Sequence, residues 1–551
     1  MIKKFLVFVL LFSLTSPILA ADVPDTSTWV QFNSFSYTGK TAVTPGDEEY
    51  LNPIISGFYP DPSICRVDDD YYLVNSAFNY FPSIPIWHSK DLVNWTQIGN
   101  VIDRPSQFAI SGQAMQSGTY APTIRYHDGT FYMINTLVGG IGNFYVTAKN
   151  PKGPWSEPVR LPNVGGIDPD IFWDDDGKCY ILSCDEPVGR AQYNGHRTIR
   201  IQEFDLEQKK SIAEKTVIVD GGTDITKNPN WCEGPHLFKI NGKYYLMCAE
   251  GGTGTAHTEV IFRSDSLRGP YLPWEKNPIL TQMNLPNNRP DMVTCTGHAD
   301  MVQTQNGDWY AVFLGCQPYD GRNYNTGRQT FMLPVTWTND GWPVILPPGT
   351  PVPLKVKKPN LTTDKAPAVP STGNITFTDN FDSDSLAFRW IGIRGPASQW
   401  WATSKSDKAL FLEPRADLFS GQGNPSYLGV RQQNNDFTCT VTMTAQSRTA
   451  NCVAGLAAFQ NESHYYAMNV KIDSGNLSEI SIEQPAGRNR GFDRGRGGRG
   501  GEQTQTNILA SEILPDNLKS IDLKIEGAGS VTRLYYKIGD GDFIRLGQDL
   551  Q

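Results

Sequence analysis

Hydrophobic and polar residues alternate in short runs along most of the chain, and five of these runs repeat one pattern. Each copy consists of an apolar extended segment, a tight turn and a second segment rich in aromatic residues. The copies read DPSICRVDDDYYLVNS, APTIRYHDGTFYMINT, DPDIFWDDDGKCYILS, GPHLFKINGKYYLMCA and ADMVQTQNGDWYAVFL. Alternation with period two between turn residues predicts pairs of antiparallel strands. The pattern therefore predicts an all-β fold for this part of the chain.

The turns and the spacing of the copies predict how the strand pairs are arranged. Four of the five copies have Asp-Gly or Asn-Gly at the turn, a strong hairpin signal because both residues accept positive φ. One tyrosine marks the same position in every copy, with gaps of 60, 48, 65 and 65 residues between the marks Tyr72, Tyr132, Tyr180, Tyr245 and Tyr310. Each gap accommodates a four-stranded sheet, and sheets repeated in this way form β-propellers. We predict a five-bladed β-propeller domain over residues 51–345, with an irregular array of β-sandwich sheets as the alternative.

The pattern changes twice beyond the repeats. Residues 346–373 are rich in proline and lack periodicity, which predicts an extended linker. Residues 374–551 contain alternating segments such as FTCTVTMTA and HYYAMNVKI, which predict an antiparallel β-sandwich. We expect this sandwich to be incomplete or variant, leaving an exposed edge. Within it, GRNRGFDRGRGGRGG (487–501) resembles an RNA-binding tract, but a solvated hairpin loop is the favoured prediction.

The N-terminal residues and the composition bear on location and partners. Residues 1–21 combine two lysines, a short apolar run and two final alanines, which predicts a signal peptide and export to the periplasm or the medium. The net charge of −9 gives no support for binding nucleic acid. No later segment is apolar enough to span a membrane, and the oligomeric state is open. Cys179 and Cys184 lie on one predicted strand, so we expect buried thiols.

The repeat also predicts where polar chemistry is concentrated. Counting back from each tyrosine mark gives one equivalent position per copy, at the start of an equivalent strand: Asp61, Tyr120, Asp168, Glu233 and His298. In a propeller, such positions converge at one end of the central channel. Mutual repulsion and desolvation would then drive the pKa values of the three acids apart. The alternative for Asp61 or Asp168 alone is a turn or cap residue, since each precedes a proline.

Two carboxyl groups across a cavity suit the hydrolysis of a glycosidic bond. One acid protonates the departing oxygen, while the other activates water or attacks the sugar. A metal site built from His298 and the acids is the competing interpretation. Catalytic transition metals normally use several nitrogen or sulfur ligands, so we predict no metal among the catalytic groups. We also predict no cofactor requirement for the chemistry.

Several segments identify a family. NPIISGFYPDPSICRVDDDYYLVNSAF, FPSIPIWHSKDLVNW, GIDPDIF, EGPHLFKINGKYYL, GHADMV and TGRQTF resemble glycoside hydrolase family 43 over residues 52–345, especially its β-xylosidase and α-L-arabinofuranosidase members. The resemblance implies a five-bladed propeller and an inverting, exo-acting enzyme that releases pentoses from xylo-oligosaccharides or arabinoxylan. We favour β-xylosidase activity, although xylose and arabinofuranose both stay open. The region after FTDNFDSDSL resembles the accessory sandwich of these enzymes.

The resemblance also implies roles for the three acids. Asp61 in YPDPS would be the general base and Glu233 in EGPH the general acid. Asp168 in GIDPD would orient Glu233 and raise its pKa. A non-catalytic carbohydrate-binding propeller is the alternative from another class, and it would not need this acid and base pair.

Four further residues would bind substrate according to the resemblance. Arg328 would contact sugar hydroxyls, and Phe78 would form an apolar wall unless it is an ordinary core residue. Tyr120 stands where close xylosidases have tryptophan, so we expect its substrate contacts to differ. His298 would hold a calcium ion through water, as in some relatives, or serve a structural or pKa-supporting role.

Overall fold

The structure is a computed structural model that describes residues 25–108, 110–395, 399–486 and 506–551. The predicted signal peptide and the arginine-glycine tract lie outside these residues. The described residues form strands, with two short 3-10 helices at Thr26–Thr28 and Ile225–Lys227. The all-β prediction is therefore confirmed. No helix in the described ranges is long and apolar enough to cross a membrane.

Five antiparallel sheets follow one another along the first part of the chain. The first contains Ser63–Val67, Asp70–Val74, Ser83–Ser89 and Thr96–Ile102. The second contains Gly118–Thr119, Thr123–His127, Thr130–Val138, Gly142–Ala148 and Val159–Arg160. The third contains Ile167–Trp173, Cys179–Asp185, Thr198–Asp205, Lys210–Ser211 and Thr216–Asp220.

The last two sheets have the same construction. The fourth contains Glu233–Ile240, Lys243–Glu250, Thr258–Ser264, Leu272–Pro273 and Leu280–Thr281. The fifth contains Thr294–Gln303, Trp309–Cys316, Gln329–Trp337 and Pro343–Val344. Each sheet thus contains the hairpin that its sequence copy predicts. At the second and fourth hairpins both turn residues have positive φ, namely Asp128, Gly129, Asn241 and Gly242, as a tight antiparallel turn requires.

One strand from each sheet belongs to a closed ring. These ring strands are Ser63–Val67, Thr123–His127, Ile167–Trp173, Glu233–Ile240 and Thr294–Gln303. Each ring strand contacts the ring strand of the next sheet, and the fifth contacts the first. Side chains at equivalent positions of the five strands are therefore brought towards a common axis.

The C-terminal region packs two further antiparallel sheets against each other. The strand order of the first is Trp401–Ser404, Ala409–Leu412, Val30–Lys40, Asp436–Thr444, Ser520–Ala528, Val531–Lys537 and Ile544–Leu550, with Ile375–Asp379 also paired to Val30–Lys40. The second contains Cys452–Asn461, His464–Asp473, Asn476–Pro485 and Thr506–Ile513. Buried side chains of both sheets, including Met443, Met468 and Leu523, form one core.

Sequence reasoning did not assign Val30–Lys40 to this sandwich. The strand comes from the N-terminal side of the five sheets, yet it lies in the middle of a sandwich sheet, with Phe32 opposite Met443. Its burial alternates along its length, as expected for a strand with one face on a core.

The segment predicted as a linker lies against the five-sheet region. Lys355–Lys357 pairs with Glu49–Leu51. Further on, the Ser371 hydroxyl donates to the Ile54 carbonyl oxygen at 2.8 Å. These contacts hold the segment in place, whereas its composition alone indicated only an extended chain.

A small sheet joins the two parts of the molecule. Ile391–Ile393 pairs on one side with Leu428–Gly429 and on the other with Tyr80–Phe81 of the first part. The sandwich is therefore hydrogen-bonded to the segment that follows Phe78.

All nine cysteines lie in the described residues and none forms a disulfide. Cys179 and Cys184 are both buried and lie on one strand, Cys179–Asp185. The prediction of buried thiols is confirmed for this pair.

Candidate active site

The backbone is irregular where the predicted site residues occur. Asp61, Asp168 and His298 each have φ near 51–52°, a left-handed conformation that Asp and His accept more readily than most side chains. The ring strands also slip in register beside three of the positions, between Ile167 and Asp170, Glu233 and His236, and Gly297 and Asp300. Such bulges re-aim side chains next to functional sites. Here they direct polar groups of several sheets towards one place.

Asp61 is almost fully buried, at 5% exposure, and is surrounded by donors. Arg328 Nη1 donates to Oδ1 at 3.2 Å, and Ser76 Oγ donates to Oδ2 at 2.6 Å. His298 Nδ1 lies 3.6 Å from Oδ1. Burial opposes ionisation of Asp61, but Arg328, His298 and Ser76 outweigh it and hold its pKa below the ordinary value. Asp61 is therefore the ionised acid of the group.

The pKa values of Glu233 and Asp168 are shifted upward, opposite to that of Asp61. Both are buried, at 8% and 6% exposure. Burial and then the Asp61 carboxylate raise the pKa of Glu233 to about 7. Burial and then the Glu233 carboxylate raise the pKa of Asp168 well above its ordinary value, although the Gly234 N–H donates to it. This pair keeps a proton near neutral pH while Asp61 is charged.

An aromatic wall stands beside the acids. The Phe78 ring stacks on Phe58 at 5.5 Å and lies 5.1 Å from the Tyr120 ring, measured between centroids. The Arg328 guanidinium lies 5.4 Å from the Phe78 centroid. Phe78 is half-buried, so it borders the site and is not part of a closed core. The Tyr120 hydroxyl donates to the Gln116 carbonyl oxygen at 2.8 Å, which fixes the direction of this ring.

His298 is buried behind Asp61. A Cβ on Gly234 would lie 2.5 Å from His298 Nε2, so the glycine leaves room for the imidazole. Burial lowers the pKa of His298, which favours a neutral ring. The described residues contain no group of three or more His, Cys, Asp or Glu side chains able to hold a metal. A calcium ion held through water at His298 stays a prediction, and no step below uses it.

The structure adds residues that sequence reasoning missed. Ser76 donates a hydrogen bond to Asp61. The positive charge of Arg197 acts on Glu233 and lowers its pKa, against the effect of burial. The Arg197 guanidinium also lies 3.8 Å from the centroid of the Trp231 ring. Ser76 and Arg197 lie outside the repeated position, so the repeat carried no signal for them. Trp231 precedes Glu233 by two residues, so its position next to the EGPH motif could have indicated it.

Two family models match the chain. "Glycosyl hydrolases family 43" matches residues 50–343, and "Beta xylosidase C-terminal Concanavalin A-like domain" matches residues 378–551. The first match spans nearly all of the five sheets, and the second spans the C-terminal sheets except Val30–Lys40 and the start of Ile375–Asp379.

Named relatives cover most of the chain. A Butyrivibrio fibrisolvens protein named "Xylosidase/arabinosidase" is 42% identical over 76% of this chain and 80% of its own length. A Bacteroides ovatus protein named "Non-reducing end alpha-L-arabinofuranosidase BoGH43B" is 41% identical over 77% and 76%, respectively. A Bacillus subtilis "Beta-xylosidase" is 33% identical over 78% and 81%.

Solved structures are similar over nearly the whole chain. A GH43_12 protein retrieved from a capybara gut metagenome has a TM-score of 0.85 and 39% identity, and the match covers 95% of both chains. The xylan β-1,4-xylosidase of Bacillus halodurans C-125 has a TM-score of 0.77 and 30% identity over 91% of this chain and 92% of its own.

Proposed function

The chain belongs to glycosyl hydrolases family 43 and is a glycosidase, and from this premise we propose that it is an inverting, exo-acting enzyme that releases terminal pentoses from xylo-oligosaccharides or arabinoxylan. One observation carries the proposal. Asp61 is held ionised by Arg328 and Ser76, while burial and Asp61 raise the pKa of Glu233 to about 7. Two acids whose pKa values are driven apart in one site have the properties of a base and an acid.

The proposal includes a five-bladed propeller as the catalytic fold. Its support is the closed ring, in which each of five sheets contributes one strand. The acids stand at or just before the starts of ring strands, so they gather at one end of the axis. The release of single terminal sugars is supported by the relative named "Non-reducing end alpha-L-arabinofuranosidase BoGH43B".

The mechanism assigns one proton transfer to each acid. Water held by Asp61 attacks the anomeric carbon and gives a proton to Asp61. Glu233 gives its proton to the departing oxygen as the carbon–oxygen bond breaks. A single displacement inverts the anomeric configuration and requires carboxyl groups about 6.5–9.5 Å apart, which leaves room for the water.

Other side chains orient the reacting groups. Asp168 accepts a hydrogen bond from the N–H of Gly234, the residue after Glu233, and repels a negative charge on Glu233. Arg328 keeps donors beyond the one directed at Asp61, and a planar donor fork suits sugar hydroxyls. Phe78 and Tyr120 would supply an apolar wall for the terminal ring.

The released sugar is proposed to be xylose first and arabinofuranose second. Relatives named β-xylosidases support the first activity. The Bacteroides ovatus relative and the mixed name of the Butyrivibrio relative support the second. We also propose export to the periplasm or the medium, on the basis of residues 1–21.

The purified protein should be assayed on 4-nitrophenyl β-D-xylopyranoside and 4-nitrophenyl α-L-arabinofuranoside. Proton NMR during the first turnovers should detect a sugar of inverted configuration, and xylo-oligosaccharides should shorten by one unit at a time. Asp176→Ala is a matched control because this carboxylate is exposed on a hairpin turn of the third sheet. A retained anomer would refute the inverting mechanism, and long internal fragments from xylan would refute exo action.

A further inference from the structure

One arginine contacts the ring strands of all four other sheets. Arg125 lies on the second ring strand, Thr123–His127. Its guanidinium donates to Asp300 at 2.8 Å and to Ser63 Oγ at 3.4 Å. The same group lies 3.2 Å from Asp170 Oδ1 and 3.1 Å from His236 Nδ1. These partners belong to the fifth, first, third and fourth ring strands, so Arg125 stands at the centre of the ring.

The two carboxylates that hold Arg125 also hold neighbouring backbone. Asp300 accepts hydrogen bonds from Ser63 Oγ at 2.7 Å and from the Ile64 N–H at 3.0 Å. Asp170 accepts one from the Leu237 N–H at 2.8 Å. Both acids are fully buried, at 0% exposure. Asp300 therefore joins the fifth strand to the first, and Asp170 joins the third to the fourth.

Arg125 and its four partners form a network, and the partners lie two or three residues further along the ring strands than the site residues. Each of four Arg125 partners follows a site residue on its own strand by two or three positions; the pairs are Asp61 and Ser63, Asp168 and Asp170, Glu233 and His236, and His298 and Asp300. Three of these pairs span the register shifts described above. A displacement of any partner would therefore be transmitted through a short, bulged stretch of backbone to a site residue.

We propose that Arg125 is a positioning residue for the acid pair and sets the separation between Asp61 and Glu233. A planar guanidinium with five donors in fixed geometry holds several strands at defined distances. Lysine offers a single ammonium and cannot reproduce that fork. The inference rests on the proposed function, because it assigns Arg125 no role other than the placement of those two carboxyl groups.

Burial makes the network sensitive to change. Removing one partner of a buried ion pair leaves a charge uncompensated and strongly destabilises the fold. Arg125→Met leaves Asp170 and Asp300 without their shared cation, so this variant should show the largest loss of activity and stability. Arg125→Lys keeps the positive charge and is the variant that decides the question if Arg125→Met fails to fold.

Lys239→Met is the matched control. Lys239 Nζ lies 2.6 Å from Asp174 Oδ1, an ion pair that also joins the third and fourth sheets. Its side-chain exposure of 21% is close to the 16% of Arg125. It lies beside a hairpin turn, at the opposite end of its ring strand from Glu233. The control therefore removes an inter-sheet ion pair without touching the network below the acids.

The test measures kcat, KM, the pH profile and Tm on the nitrophenyl glycoside that the wild type cleaves. We expect Arg125→Lys to lower kcat about 10- to 100-fold, since small misplacements of reacting groups cost that much, with KM within about threefold. The basic limb of its pH profile should move, because the pKa of Glu233 depends on its distance from Asp61. Lys239→Met should change Tm alone.

Folded Arg125→Lys with wild-type kcat and an unchanged pH profile would overturn the inference. It would also be overturned if Lys239→Met lost the same activity at the same drop in Tm, since a general loss of stability would then explain both. An inactive wild type would instead refute the proposed function. The two failures are therefore distinguishable.

Discussion

Asp61 and Glu233 are carboxylic acids that their neighbours hold in different protonation states. Arg328, His298 and Ser76 surround Asp61 with positive charge and donors. Glu233 is buried beside a carboxylate that is already charged. The difference arises from position alone, so exchanging or removing either side chain should have separable effects.

Replacing either acid by alanine should separate the two roles. Asp61→Ala removes the group that activates water in the proposed mechanism, so activity should fall by about 10² to 10⁴ or more on every substrate. Glu233→Ala should be equally severe on xylobiose but milder on nitrophenyl glycosides, whose leaving group scarcely needs a proton. The measurement is kcat/KM on both substrate types. Equal losses for Glu233→Ala on both, or full activity in Asp61→Ala, would refute the assignment.

Asp168→Asn should alter the pH profile. The proposed mechanism requires Asp61 ionised and Glu233 protonated, so activity should be lost as pH rises through the Glu233 pKa of about 7. It is also lost as pH falls through the Asp61 pKa, which lies below its ordinary value. The carboxyl groups of Asp168 and Glu233 repel each other when both are charged. Asparagine removes this repulsion, so the basic limb should move to lower pH. An unchanged basic limb in the kcat/KM profile would contradict this role for Asp168.

Removal of divalent ions should have little effect on catalysis. In the part of the chain that the structure describes, no group of three or more His, Cys, Asp or Glu side chains is able to hold a metal ion, and Arg125 already places a cation beside Asp170 and Asp300. After treatment with EDTA and gel filtration, we expect activity within about twofold of the untreated enzyme, since no ion enters the proposed acid–base steps. A large loss that calcium restores would establish the calcium site implied by the family resemblance.

The repeat located some residues of this site and not others. Asp61, Asp168, Glu233 and His298 were found because equivalent positions of similar hairpins must converge if the sheets are arranged radially. Arg125 was missed because it lies five residues beyond Tyr120, where alternation indicated only an ordinary strand. Its importance depends on which four side chains surround it, and that is a property of the closed ring. No single copy of the repeat contains this information.

At the scale of the strand, the bulges decide where the acids point. Gly234 lies within the bulge of the fourth ring strand with φ of 60°, and the His298 ring fills the space where a side chain would be. The hairpin turns, by contrast, followed directly from Asp-Gly and Asn-Gly pairs. A tight turn is determined by two adjacent residues and can be predicted from them, whereas the position of a bulge depends on the strand with which the bulged strand pairs.

Gly234→Ala should therefore impair catalysis beyond its cost in stability. The new Cβ would meet His298 Nε2 at 2.5 Å, and the left-handed backbone adds about 1–2 kcal/mol of strain. Gly242→Ala is the control, because Gly242 has φ of 76° in the same sheet with no atom within 4 Å of its Cβ. Activity measured at equal folded fraction should fall only in Gly234→Ala. Equal activity in the two variants would contradict a role for this close contact.

At the scale of the whole molecule, the sandwich and the catalytic region share hydrogen bonds beside the site. Arg394 follows a strand of the bridging sheet and is almost fully buried, at 1% exposure. Its N–H donates to the Asn79 carbonyl oxygen, and its guanidinium donates to the Gln113 carbonyl oxygen, both at 2.6 Å. Asn79 follows Phe78 directly, so the accessory region supports the loop that carries the aromatic wall.

Removing the N-terminal strand should destabilise the distant sandwich. A chain shortened to begin at Thr41 lacks Val30–Lys40, which pairs with Ala409–Leu412 on one side and Asp436–Thr444 on the other. We expect a large loss of soluble protein and a lower Tm in thermal unfolding. A chain beginning at Asp25 is the control, because it retains the strand. An unchanged Tm for the shorter chain would show that the sandwich closes without it.

The position of Val30–Lys40 also fixes an order of events during synthesis. This strand leaves the ribosome early, while its neighbour Asp436–Thr444 follows about four hundred residues later, and loop closure over such a distance carries an entropic cost. All five sheets of the catalytic region can be completed in the interval. The strand must stay unpaired meanwhile, with both backbone edges open to association with other chains. A nascent chain of this protein is thus exposed to aggregation at its first strand until Ala409–Leu412 and Asp436–Thr444 have been made.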